Sequence, residues 1–175
     1  MLESRMSLEE QLVALVAALD GDGGDRIVRT LQPMLAEIAP FDAGEVDLAG
    51  PIGHQRWTLT SDETAIASED LLLRLEAEPL RIDDRHQAGA FPRTHARMAE
   101  SGFRSLLAVP FGCASGPRGA IVLANRDGWA FVAASLRVLR PLAQMTGFCL
   151  QGAMSLTSLR KELEMLRAKG RKADG

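Results

Sequence analysis

The sequence predicts an α+β fold, an antiparallel sheet with helices laid on it, and three observations carry that reading. First, two apolar runs flank the turn Ala114-Ser115-Gly116-Pro117 inside Gly102–Asn125, GFRSLLAVPFGCASGPRGAIVLAN. Strands joined by so short a turn pair antiparallel. Second, helical periodicity is confined to the chain before and after the strand-like segments, which puts the helices on the sheet rather than between its strands. Third, from about Ala133 the apolar residues step by four and three almost to the C-terminus. That is the pattern of one long helix ending as a coiled coil.

The elements follow in order. Ser7 to Asp20 opens with an S-x-x-E capping box, Ser7 and Glu10, and carries Leu8, Leu12, Leu15 and Leu19 on one stripe. Gly21-Asp22-Gly23-Gly24 ends it. Asp25 caps a second helix to about Ala39, with Ile27, Leu31, Leu35 and Ile38 on one face and Pro33 predicting a kink or an early break. Ala43–Ala49 alternates and reads as a strand, and Gln55–Thr60 as its partner across Gly50-Pro51-Ile52-Gly53. Ser68 caps a helix over Asp70–Glu78. Leu80–Ile82 is a short strand, Arg85–Glu100 a polar connection with a helical turn near Thr94–Ala99, and Phe103–Cys113 and Arg118–Asn125 are the last strands.

In the terminal helix the seam is Val138, Leu142, Met145, Cys149, Gly152, Leu156, Leu159, Leu163 and Leu166. Pro141 is expected to bend it. Up to about Cys149 the opposite face, with Phe148 and Leu150, is also apolar, so this half is expected on the sheet. Beyond Leu156 that face carries Arg160, Lys161, Glu164 and Arg167. A stripe this narrow is buried only against another helix, with Ser7–Asp20, from the same chain or a second copy, as the nearest candidate. Leu8, Leu12, Leu15, Leu19, Met145, Cys149, Leu156, Leu159, Leu163 and Leu166 are thus the expected dimerisation residues. The expected organisation is an N-terminal dimerisation helix (1–24), the domain proper (25–154), a coiled coil (155–170) and a disordered tail (171–175).

Composition narrows the function. The chain has 175 residues, 46% of them apolar, and a formal net charge of −3. With a pI near 5.6 it lacks the basic footprint of a nucleic-acid partner. No stretch reaches the ~18 uninterrupted apolar residues of a membrane span, and no signal peptide opens the chain. Two cysteines, Cys113 and Cys149, make no disulfide framework, which suits a reducing cytoplasm.

His54, Asp83, Asp84, His86 and His95 match no metal-ligand spacing, and read as exposed loop groups. Neither cysteine shows the base and electropositive surroundings of a catalytic thiol, though Arg104 and Arg118 lie within reach of Cys113. The glycines at 21, 23 and 24 follow a helix rather than a strand and make no phosphate loop. The polar segment Arg81–Arg104 is the best candidate site, because long connections in compact domains are often functional.

The order of these segments resembles that of the GAF domain, a family of sensory and regulatory modules. Leu80-Arg81-Ile82-x-Asp84 is similar to its strand and turn. Gly102–Pro110, Gly119–Ala124 and Phe131–Leu150 resemble its next two strands and closing helix. The resemblance covers roughly Asp25–Met154. It implies a sheet of five or six strands, terminal helices that make the dimer contact on one face, and a small-molecule pocket on the other. The pocket residues it implies are Arg81, Asp84, His86, Phe91 and Arg104, with Ser105 and Leu107 from the strand, whose facing the sequence leaves open. The Asn-Lys-Phe-Asp-type signature of cyclic-nucleotide binders is missing. So are the Cys-His of bilin attachment and the pocket cysteines of the methionine sulfoxide reductases. The expectation is a cytoplasmic homodimeric sensor, not an enzyme. Its ligand is an unknown small molecule, its cofactor is unknown, and it acts through a downstream signalling protein or domain. The alternatives are a ligand-free dimerisation scaffold and a thiol-dependent enzyme using Cys113.

Overall fold

A computed structural model of the chain describes residues 7–20, 24–50, 53–60, 66–67, 71–72, 75, 78–83, 90–112 and 118–173. Helices α1 (Leu8–Ala17, closed by a 3-10 turn over Ala18–Asp20) and α2 (Gly24–Ile38) come first. Strands β1 (Ala43–Gly50), β2 (Gly53–Thr58) and β3 (Leu80–Asp83) follow. Then come α3 (Pro92–Glu100), β4 (Ser105–Gly112), β5 (Arg118–Asn125) and α4 (Ala133–Ala173). The sheet is five-stranded in the order β2-β1-β5-β4-β3, with every neighbouring pair antiparallel. The fold class read from the sequence is the observed one. Of the helix expected over 70–78, Leu71 and Leu72 are helical and most of the rest lies outside the described residues.

Local chemistry explains the ends of these elements. The capping box forms as read: Glu10 N donates to Ser7 Oγ at 3.2 Å and Ser7 N to Glu10 Oε2 at 2.7 Å, satisfying donors that the first helical turn leaves free. Helix α3 ends in a Schellman motif. Phe103 N donates to Met98 O and Gly102 N to Ala99 O, with Gly102 at a φ of 74°, the left-handed conformation that glycine adopts without strain. Phe103 and Met98 then pack in one cluster. The Gly-Phe pair ahead of β4 is therefore a helix stop that aims the chain into the sheet.

Neither interior proline breaks its helix. Helix α2 runs unbroken through Pro33 and α4 through Pro141. An interior proline costs about 3 kcal/mol, but Leu31, Met34 and Leu35 flank the first, and Leu139, Leu142 and Ala143 the second, all buried. Burial of a large apolar side chain contributes about 1.5–3 kcal/mol, so two or three such groups outweigh the lost backbone bond. Helix α4 also continues to Ala173, into the stretch expected to be a disordered tail.

The sheet separates two cores. Val46, Leu48, Leu107, Val109, Phe111, Ile121 and Leu123 face α1, α2 and the first half of α4. Ala43, Ile82, Leu106, Ala108, Ala120, Val122 and Ala124 face the other way, toward Ile66, Ala67, Leu71, Phe91 and Met98. Successive residues of a strand point to opposite faces, so these two sets interleave along β1, β4 and β5. Phe111 fixes the distance of α4 from the sheet, because a Cβ on Gly147 would stand 2.5 Å from its ring. Helix α1 belongs to the same layer: Leu15 and Ala18 are buried in it, and a Cβ on Gly152 of α4 would sit 3.2 Å from Leu19.

Candidate functional site

The residues expected to line the pocket fall on two sides of the sheet. Arg81 pairs across the ladder with Leu107, and Asp83 with Ser105, so all four belong to the helix-covered face. Leu107 is buried in the helix-side core. Ser105 Oγ donates to Asp127 O at 2.5 Å, holding the turn after β5. Arg81 Nε lies 2.7 Å from Asp83 Oδ2 and its Nη1 donates to Phe131 O at 3.3 Å. Arg81, Ser105 and Leu107 thus tie β3, β4 and the start of α4 together, and strand alternation takes them off the face where the pocket was expected. Phe91 does lie on that face, buried beside Ile82 and Met98. Arg104 lies beside Gly128. Asp84, His86 and Cys113 lie outside the described residues.

The dimerisation residues also divide. Leu15 and Cys149 are buried within the chain, and Leu12, Leu19 and Met145 pack partly against that core, so these five are covered without a second copy. Burial also pushes the Cys149 thiol up from its ordinary value, away from the reactive thiolate. Phe148, expected on the sheet, is instead 57% exposed. Leu156, Leu159, Leu163 and Leu166 are 42–68% exposed. Of Leu8 only the helical backbone is described.

The most unusual chemistry sits elsewhere, on the sheet face away from α1, α2 and α4. Strand β1 alternates Glu45 and Asp47 on that face with Val46 and Leu48 on the other, and both carboxylates are buried, at 0% and 1% exposed. Antiparallel register sets Arg56 of β2 opposite Asp47. Arg56 Nε donates to Asp47 Oδ1 at 2.8 Å and lies 3.6 Å from Glu45 Oε2. His54 Nε2, on the same face of β2, is 2.9 Å from Asp47 Oδ1. His54 is therefore a strand residue held by a buried carboxylate, not an isolated loop group. The backbone lid at 66–67 completes the cluster: Ile66 N and Ala67 N donate to Glu45 Oε2 and Oε1 at 3.1 and 2.5 Å. Ala67 O accepts from Arg97 of α3 at 2.7 Å and from Arg56 at 3.3 Å.

Taking a carboxylate out of water costs several kcal/mol unless charges and donors compensate, and here compensation is incomplete. Burial pushes the Glu45 carboxyl from 4.5 up to about 7, and the neighbouring Asp47 charge adds to it. The Ala67 N–H, the Arg56 charge and the Ile66 N–H pull the other way. Burial by itself would lower the Arg56 guanidinium, but its bond to Asp47 and the two carboxylate charges hold it above its ordinary value. Asp47 Oδ1 takes both Arg56 and His54, while Oδ2, equally buried, has no hydrogen-bond partner among the described residues. Sequence reasoning passed over Glu45, Asp47 and Arg56. The signal that finds them is the pair of matched alternations, Glu45-x-Asp47 facing His54-x-Arg56. Their burial comes from the 66–67 segment, which no local pattern announces.

Among the described residues no group of three or more His, Cys, Asp and Glu side chains is arranged to hold a metal ion. Among the described residues no helix is long and apolar enough to cross a membrane.

Comparison with solved structures identifies the architecture. A domain from Sinorhizobium meliloti 1021, of a protein assigned as a two-component sensor histidine kinase, superposes with a TM-score of 0.59 at 12% identity, over 80% of this chain and 99% of that one. The phycoerythrobilin-bound GAF domain of a cyanobacterial phytochrome gives 0.60 at 11% identity, over 85% and 96%. The GAF domain of a protein assigned as a sensor histidine kinase from Pseudomonas syringae pv. tomato gives 0.54 at 19% identity, over 91% and 96%. The chain has the GAF fold. At these identities the likeness is one of fold. No protein-family model matches the sequence, and no curated protein matches it.

Proposed function

We propose that the chain is a sensory or regulatory module of the cytoplasm, not an enzyme, which binds a small molecule on the sheet face opposite α1, α2 and α4. Binding there shifts a helical homodimer and, through it, a downstream signalling protein or domain. The observation that carries this reading is the second half of α4. From Leu156 to Ala173 it extends roughly 25 Å, with Leu156, Leu159, Leu163 and Leu166 at alternating three- and four-residue spacing and all exposed. A stripe of that width and period fits a second copy of itself, and α4 joins it rigidly to the helical layer under the sheet. Solved GAF-fold neighbours come from proteins assigned as sensor kinases and from a phytochrome, which supports the sensory role. The physical requirement is that the ligand bind one helix arrangement better than the other.

The test is Leu159→Glu with Leu163→Glu, measured by light scattering after size exclusion. The wild-type chain is expected to be a dimer and the double variant a monomer, with thermal unfolding of the sheet unchanged. A variant that stays dimeric removes the seam from this reading.

One observation favours a second reading, the ligand-free scaffold. Arg81, expected in the pocket, is bound to Asp83 and Phe131 O. Native mass spectrometry separates the two readings: a dimer with added mass supports the sensor, and a clean dimer the scaffold.

A further inference from the structure

We propose that the buried Asp47 carboxylate is the anchor of a site for a small organic cation, an alkylamine or alkylguanidine, entering past β2. The inference rests on the sensor reading above and names the chemistry of its ligand.

Four observations converge on it. Asp47 is 1% exposed, and its Oδ2 has no hydrogen-bond partner among the described residues. A buried carboxylate oxygen left without a donor costs more than a neutral acceptor would. A ligand N–H placed there removes that cost on binding. Second, both donors that Asp47 has are spent on Oδ1, so neither Arg56 nor His54 occupies the side where the ligand would sit. Third, charge selects the sign. The ion pairs of the cluster set one fixed cation, Arg56, and one titratable group, His54, against two carboxylates. The Arg97 guanidinium is directed at Ala67 O. An anion would meet the buried Asp47 carboxylate at close range, whereas a cation pairs with its open oxygen. Fourth, the β5 residues across from the carboxylates are of small to medium size: Ala120 faces Asp47 and Val122 faces Glu45, with Ala43 and Ala124 beyond them. Among the described residues β2 is the outermost strand, and the His54 side chain is 45% exposed. A compact head group with an aliphatic stem matches both features.

The experiment uses the full chain with three probes of equal length: butylamine, butylguanidine and neutral butyramide. Two-dimensional amide NMR spectra are recorded at neutral pH for the wild type and for Asp47→Asn. At least one cation is expected to perturb the amides of Glu45–Ala49 and Gly53–Thr58, and butyramide to leave them unmoved. Asp47→Asn should weaken that binding about ten-fold or more, the range of a lost charged hydrogen bond. If neither cation perturbs the wild type, or if Asp47→Asn binds as tightly, the site is a solvated ion pair and the proposal falls. Should Asp47→Asn fail to fold, the wild-type map still decides: shifts centred on β1 and β2 support the site, and shifts confined elsewhere overturn it. Light scattering on the same sample keeps the two readings apart. A dimer that ignores both cations loses this ligand class and keeps the helical interface. A monomer that binds them loses the interface and keeps the site.

Discussion

The two faces of the sheet differ in the size and charge of what they bury. Under the helices lie Val46, Leu48, Leu107, Val109, Phe111, Ile121 and Leu123, large side chains interlocked with α1, α2 and α4. On the other face the same strands carry Ala43, Leu106, Ala108, Ala120, Val122 and Ala124, a set with more alanines, together with Glu45 and Asp47. A face of branched residues fills space and fixes the helices. A face with more alanines and two carboxylates carries the cost of buried charge. The comparison teaches that this sheet divides its labour by strand parity: one parity holds the fold, and the other tolerates chemistry that costs stability.

The largest effect should come from breaking the packing side. Leu107 is fully buried at the centre of the sheet, between Arg81 and Leu123 of the neighbouring strands. Leu107→Ala is expected to cost about 2–5 kcal/mol, the transfer loss plus the cavity, measured by urea unfolding. Its neighbour on the opposite face, Ala108, is already small, and Ala108→Gly should cost no more than about 1 kcal/mol. Equal losses at the two positions would break the division.

The next effect belongs to the charged side and depends on pH. Folding raises the Glu45 carboxyl from 4.5 to about 7, so the folded chain holds this proton more tightly than the unfolded chain. Its contribution is complete below 4.5 and is lost as pH rises through about 7. Stability should therefore fall by on the order of 3 kcal/mol across that window, flattening above it. Glu45→Gln removes the titrating group and should remove this decline, although it sacrifices one acceptor for the Ile66 and Ala67 N–H groups. Thermal unfolding of both proteins across the window checks this. A Glu45→Gln profile as steep as the wild type would assign the decline to other groups.

The same division explains what the sequence made legible. The hairpin of β4 and β5, the capping box and the leucine stripe of α4 are local patterns, each set by residues a few positions apart, and each is where it was expected. The GAF fold was readable because its segments keep their order. The early break allowed at Pro33 does not occur, because the apolar burial that carries a helix across proline comes from the sheet, not from neighbours in sequence. The pocket residues misled for a related reason. A run such as Ser105–Gly112 is apolar at nearly every position, so nothing in it marks which parity meets the helices. That was fixed by Arg81 and Asp83 pairing with Leu107 and Ser105 across the ladder. Glu45 and Asp47 looked like the solvent side of an edge strand, and became buried only through a backbone segment about twenty residues away.

The smallest effect tests whether the helical layer can be loosened while the charged face stays intact. Ser7 and Glu10 exchange hydrogen bonds at the start of α1, on the exposed surface and far in sequence from both carboxylates. Ser7→Ala removes one half of the exchange and should cost about 1 kcal/mol, read as a lower urea midpoint with an unchanged slope. Because Leu15 of α1 is fully buried under the sheet, this loss is expected in global unfolding and not in fraying of α1 alone. The decline of stability with pH that Glu45 causes should stay parallel to the wild type, displaced by a constant amount. A changed pH profile would mean that the capping of α1 reaches the carboxylates through the sheet. The two faces would then be one coupled unit, and the helices would already be sensing the charge state of the site.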